Sequence, residues 1–82
     1  MEIVFKKSFT KALKFTPKSI QKLTANIISK LAQAKSLEKA GVYCTKIEGQ
    51  KKNEHYYRVR IGDWHIGFEY LHPKIIIIAI LT

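Results

Sequence analysis

Cysteine occurs once in these 82 residues, proline twice, glycine four times, and acidic side chains only six times. The single thiol, Cys44, excludes an intramolecular disulfide framework and a cysteine-based zinc site, and it fits a reducing compartment. Long apolar runs are missing too. The longest, residues 75–81, has seven residues, against the roughly 20 needed to span a bilayer. The N-terminus places its apolar residues ahead of its first lysines and has no small-residue cleavage site, so no secretory signal is expected and a cytoplasmic location follows. His55, His65 and His72 show no metal-ligand spacing, and no glycine-rich phosphate loop is present. Neither a metal nor a cofactor is expected.

The shortage of acids leaves 15 Lys+Arg against 6 Asp+Glu, a net charge of +9. On so short a chain this excess sets up a field that attracts polyanions: nucleic acid, an acidic protein or an anionic membrane surface. Apolar residues make up 46% and charged residues 26%, so the chain has the means to fold and disorder is excluded. Residues 1–82 are too few for two cores, so one domain is expected. The charge is unevenly spread. Residues 1–40 carry nine lysines and two acids, net +7, whereas residues 41–82 carry six bases and four acids, net +2.

Periodicity divides the chain at the same place. Residues 2–5 are short, apolar and β-branched, as an N-terminal strand requires. Phe9, Ala12 and Leu13 then fall at i, i+3 and i+4, with Lys7, Lys11 and Lys14 on the other side, which predicts a short amphipathic helix. Thr16-Pro17 supplies an N-cap residue and a proline at the first helical position. In the helix that follows, Ile20, Leu23, Ile27, Leu31 and Ala34 form one stripe, with Ile28 beside it. After Ala40-Gly41 the period switches to two, over residues 42–48, 54–61, 64–71 and 74–81. Gly62-Asp63 makes a two-residue hairpin loop, with glycine where φ > 0 is required. The order reads β-α-α-β-β-β. That is an α+β fold with a two-helix hairpin on one face of a mainly antiparallel four-stranded sheet.

Alternation gives this sheet two chemically different faces. Tyr57, Val59 and Ile61 point with Trp64, Ile66, Phe68 and Tyr70 toward the helices. Tyr56, Arg58 and Arg60 point the other way, with His65, Gly67 and Glu69. A tight hairpin at Gly62-Asp63 sets Arg60 opposite His65. Guanidinium forks suit phosphate oxygens, and Tyr56 offers a ring on which a base can stack. Lys51 and Lys52 stand in the adjoining loop. The last strand is apolar at both parities, so Ile75, Ile77 and Leu81 want cover as well as Ile76, Ile78 and Ile80. An aliphatic patch beside a cationic one marks an interface.

Residues 56–70, Tyr-Tyr-Arg-Val-Arg-Ile-Gly-Asp-Trp-His-Ile-Gly-Phe-Glu-Tyr, follow a helix hairpin and a basic loop and precede an aliphatic strand. In this the chain resembles the RelE/ParE superfamily of bacterial toxins from type II toxin–antitoxin systems. The resemblance implies a ribosome-dependent endoribonuclease (an mRNA interferase) that inhibits translation. Its partners would be messenger RNA, the ribosome and a small acidic antitoxin, held in a hetero-oligomer. The same fold also implies two alternatives, a ParE-like DNA gyrase inhibitor or an inert relative that only binds an antitoxin. Carried over by position, the catalytic bases of the family fall on Arg58 and Arg60. The family's hairpin arginine falls on His65, an imidazole, the side-chain type most often used for proton transfer. Lys51, Lys52 and Tyr56 are the candidates for binding substrate. The family commonly continues past the last strand with an arginine-containing segment and often a tyrosine. This chain stops at Thr82, so that catalytic segment is expected to be lacking.

Overall fold

A computed structural model describes residues 1–82. The elements are β1 (Glu2–Phe5), α1 (Lys7–Leu13), α2 (Lys18–Gln33), β2 (Thr45–Lys46), β3 (Tyr56–Ile61), β4 (Trp64–Leu71) and β5 (Lys74–Leu81). One sheet in the order β1-β5-β4-β3-β2 runs through all the strands. β1 lies parallel to β5, and every other neighbouring pair is antiparallel. The sheet is therefore mixed and has five strands, not four. The stretches 2–5, 42–48, 54–61, 64–71 and 74–81 supply one strand each, so the order β-α-α-β-β-β is one strand short, and β2 takes only two residues of 42–48. Past Lys46 one backbone bond remains, from the Ile47 N–H to the Tyr56 carbonyl at 3.0 Å, and a side chain supplies the rest. Gln50 donates from Nε2 to the Tyr56 carbonyl at 2.8 Å, and its Oε1 accepts the Tyr56 N–H at 2.6 Å.

Both helices lie on one face, α1 across β5 and α2 across β1 and β3. Phe9 is buried on α1, with Ala12 and Leu13 half-buried, while Lys7, Lys11 and Lys14 are exposed. The buried stripe of α2 is rotated from the expected one. Thr24 and Leu31 are fully buried, and Leu23 is 48% exposed. Ile20, Thr24, Ile27 and Leu31 follow a +4, +3, +4 spacing, so a small polar residue occupies the centre of the contact and Leu23 falls one position off it. Thr16 does not cap α2. Its hydroxyl donates back to the Leu13 carbonyl at 2.7 Å, which closes α1 instead, and the Gln21 amide reaches the Leu13 and Thr16 carbonyls. At the far end of α2 the Met1 ammonium donates to the Ala32 and Ala34 carbonyls at 2.6 and 2.9 Å. A cation there satisfies orphan carbonyls and complements the negative end of the helix dipole.

The core is formed by Phe9 and Leu31 from the helices, Val59, Ile61, Ile66, Phe68, Ile75, Ile77 and Ile80 from the sheet, and Leu37 and Ala40 from the irregular segment after α2. On β3 and β4 the inward set is the one that alternation requires. On β5 the parity changes. His65, Ile66 and Gly67 pair with Leu81, Ile80 and Ala79, but Phe68 pairs with Ile77, so the register shifts between Gly67 and Phe68 and Ile78 is left over. Such a bulge inserts one residue and inverts the facing of everything beyond it. Ile75 and Ile77 therefore face the helices before the shift, and Ile80 does so after it. The double-parity aliphatic run is the sequence form of this bulge. Ser8 at the start of α1 donates its hydroxyl to the Ile78 carbonyl at 2.7 Å, holding the irregular position in place.

The parity change has a measurable consequence. Ile77→Ala should destabilise the fold by about 2–5 kcal/mol in urea denaturation, and Ile78→Ala, on the other face, by about 1 kcal/mol. Equal losses would contradict the register shift.

Candidate functional site

No helix covers the second face of the sheet, and the backbone sorts its residues into a gradient. β5 contributes Ile76, Ile78, Ala79 and Leu81, and β4 contributes His65, Gly67 and Glu69. β3 contributes Tyr56, Arg58 and Arg60, with Thr45 opposite Arg58 on β2. Aliphatic carbon at one side thus gives way to guanidinium at the other.

The hairpin forms as expected. Gly62 has φ of +59° while Asp63 has no positive φ, the pattern of a turn with glycine at its first central position. Arg60 and His65 are direct cross-strand partners, about 5 Å apart between Cα atoms. Arg58 lies two residues along β3 on the same side. Both arginines are exposed, and neither forms an ion pair with a carboxylate. Arg60 donates from Nε to the Gly62 carbonyl at 2.9 Å. That bond aims the side chain along the turn and leaves its terminal nitrogens for a ligand. His65 is half-buried, and its Nδ1 is buried without a hydrogen-bond partner, so Nε2 is the nitrogen left to act outward.

The other expected residues are placed differently. Tyr56 is half-buried at the opposite end of β3, facing Glu69 across the strands. Lys51 and Lys52 are exposed in the loop that enters β3 at that same end, on the order of 13 Å along the strand from Arg60. The structure gathers Arg58, Arg60 and His65 into one cluster and sets the loop lysines apart from it. The loop itself is well tied. The Glu54 carboxylate accepts the Lys51 N–H at 2.8 Å, and Gln50 bonds Tyr56 on both sides. His55 and His72 border a different hollow, with Tyr57, Tyr70 and Leu71. Cys44 is half-buried, its thiol donating to the Val42 carbonyl at 3.5 Å. Burial pushes its pKa up from 9.0 to about 11, so it holds little of the thiolate that a nucleophile requires.

Between the cations and the aliphatic edge lie two adjoining hollows. One, of about 260 Å³, is bordered by Ile47, Arg58, His65, Gly67, Ala79 and Leu81. The other, of about 330 Å³, is bordered by Ile47, Tyr56, Gly67, Phe68, Ile78 and Ala79. Ile47, Gly67 and Ala79 are common to both. Alternation places Gly67 on this face without singling it out, and it does not point to Ile47 or Ala79. The signal for Gly67 and Ala79 is the pairing of small residues on neighbouring strands, which becomes visible once the register sets them opposite each other.

The arrangement can bind and polarise a phosphodiester. Two unpaired guanidinium groups supply permanent positive charge, a solvent-facing imidazole nitrogen stands beside one of them, and an aromatic ring lies farther along the strand.

Comparison with known proteins gives this face a context. No family model matches the chain. It is 36% identical over 69 residues to a protein named Toxin RelE3 from Methanocaldococcus jannaschii, covering 84% of this chain and 75% of that one. Its structure is similar to a chain of the RelB-RelE antitoxin-toxin complex from Methanococcus jannaschii, with a TM-score of 0.82, 34% identity, and coverage of 96% of this chain and 88% of that one. A chain of the archaeal RelE-RelB complex from Pyrococcus horikoshii gives a TM-score of 0.75 at 21% identity, covering 96% of this chain and 90% of that one. The intact Escherichia coli RelBE complex gives 0.72 at 8%, covering 96% and 92%. The last two likenesses establish the shared fold alone. The sequence relative is archaeal, so the likeness does not carry the bacterial origin that the resemblance suggested.

Two measurements check the site's local structure. A rise of two units in pKa predicts that Cys44 alkylates at pH 8 about a hundredfold more slowly in the folded chain than in urea; equal rates would contradict its burial. Gln50→Ala should accelerate hydrogen exchange of the Tyr56 amide, read by NMR, and unchanged exchange would show that the loop closes without that side chain.

Proposed function

The chain belongs to the RelE family of toxins, and from that premise we propose that it is the toxin of a toxin–antitoxin pair and cleaves messenger RNA on the ribosome. The observation that carries this reading is the cluster of Arg58, Arg60 and His65 on the open face, its two arginines free of carboxylates. The similar proteins are also named as RelE toxins.

In the proposed reaction the ribose 2′-hydroxyl attacks the adjacent phosphorus and the bond to the 5′-oxygen breaks. The products are a 2′,3′-cyclic phosphate and a 5′-hydroxyl. Arg58 and Arg60 stabilise the added negative charge of the phosphorane, the kind of preorganised electrostatic effect that is usually the largest single contribution. His65 takes the proton of the 2′-hydroxyl on Nε2, and the leaving 5′-oxygen takes up a proton from water. Tyr56 holds a base farther along the strand. Lys51 and Lys52, set back at the loop, act on the backbone of the incoming strand by charge alone. None of these steps involves a metal or cofactor.

The partner is proposed to be a small acidic antitoxin. The similar structures are RelB-RelE antitoxin-toxin complexes, and residues 1–40 of this chain carry nine of its lysines against two acids. A groove between the helices, lined by Phe5, Phe9, Leu13, Ala25 and Ile28, gives that field an apolar centre. No helix is long and apolar enough to cross a membrane.

Programmed ribosomes test the reading. The wild-type chain, freed of antitoxin, should cleave ribosome-bound message. Arg58→Ala with Arg60→Ala should lower the rate by about 10²-fold or more without lowering the melting temperature, since both side chains are exposed. Unchanged cleavage in the double variant would remove the arginines from the mechanism.

A further inference from the structure

The geometry points to Gly67 and Ala79 as the floor of a nucleobase site on the open face, an inference that rests on the nuclease reading above. Gly67 lies inside β4, yet its φ is not positive, and a Cβ built there meets nothing within 4 Å. Neither backbone conformation nor crowding within the chain requires glycine at this position. A glycine inside a strand weakens it by roughly 0.5–1 kcal/mol relative to alanine, and it often marks a place where a ligand approaches closely. Across the sheet its partner is Ala79, the smallest side chain on β5, and the two meet next to the register shift.

The two hollows that share this floor differ in chemistry in the way the two halves of a nucleotide do. One holds Arg58 and His65, groups for a phosphate and its ribose. The other is apolar, with the ring of Tyr56 on one side and Ile78 on the other, suited to the faces of a base. Polarity fixes the direction. Glu69 faces Tyr56 across the strands, so within the two hollows a phosphate is favoured beside the arginines, and the next phosphate of the strand falls to Lys51 and Lys52 in the loop beyond. An acidic peptide would instead favour the lysines of residues 1–40. The occupant is one base of single-stranded RNA, bound flat over Gly67 while its phosphate lies on Arg58.

An NMR titration of the isotope-labelled chain with a trinucleotide RNA, and with the same trinucleotide made abasic at its central position, tests this. In the wild type the intact trinucleotide should shift the Gly67, Ala79 and Tyr56 amides and bind about tenfold more tightly than the abasic one, the worth of one stacked base. Gly67→Val and Ala79→Leu each fill the floor from a different strand, and each should erase that preference while keeping the salt dependence. Arg58→Ala should weaken both ligands together. A wild type that binds both equally, with the salt dependence intact, overturns the base site and leaves the nuclease reading standing. Two folded variants that keep the preference overturn it as well. Binding of neither trinucleotide would overturn the base site, while the nuclease reading, which concerns message on the ribosome, stands or falls with the programmed-ribosome assay.

Discussion

One register shift between β4 and β5 connects the core to the open face. Strand β5 is central, paired with β1 on one side and β4 on the other, and its aliphatic side chains have to satisfy the helix layer along their whole length. Strict alternation would have turned Ile80 out and Leu81 in. The extra residue at Ile78 instead keeps Ile75, Ile77 and Ile80 under the helices. The same shift brings Ala79 beside Gly67 and opens the floor between the arginines and Tyr56. The Ser8 hydroxyl holds the Ile78 carbonyl, and the Lys6 amide bonds the Ile77 carbonyl, so the start of α1 is anchored to the bulge. Core packing and site geometry thus share a few residues, and a change at either is felt by the other.

Period-two alternation made the faces of β3 and β4 readable from sequence, because these two strands pair regularly with each other from Tyr56 and Glu69 to Ile61 and Trp64. The Gly62-Asp63 turn fixed their register, and with it the contact of Arg60 with His65. Three kinds of feature were not readable. The shortness of β2 depends on Gln50, a side chain that replaces backbone pairing, and propensity does not report this. The inward position of Thr24 instead of Leu23 depends on how α2 is rotated against the sheet, which hydrophobicity alone assigns wrongly when a threonine lies at the centre of the contact. Leu37 and Ala40 enter the core from a segment with no periodicity at all. The Thr16 cap was misassigned because its hydroxyl bonds back to Leu13 and closes α1, and the end of α2 is satisfied by the Met1 ammonium, which is distant in sequence.

The charge divides by role. Most of the excess of +9 lies in residues 1–40, on helices whose inner faces are committed to the sheet. There it acts as a broad field. On the open face two arginines and one histidine are positioned individually, by strand register and by the Arg60 bond to Gly62. A field steers partners and is screened by salt, whereas positioned guanidinium groups stabilise a particular charge distribution. The proposed chemistry depends on the second, and the total charge says little about it.

The central claim is that the open face performs RNA chemistry. Inducible expression of the chain, with message ends and DNA supercoiling read from the same cells, tests it most directly. The account predicts growth arrest with new message ends that carry a 2′,3′-cyclic phosphate and a 5′-hydroxyl, while supercoiling is unchanged. Growth arrest with intact messages and accumulated gyrase-cleaved DNA would contradict it.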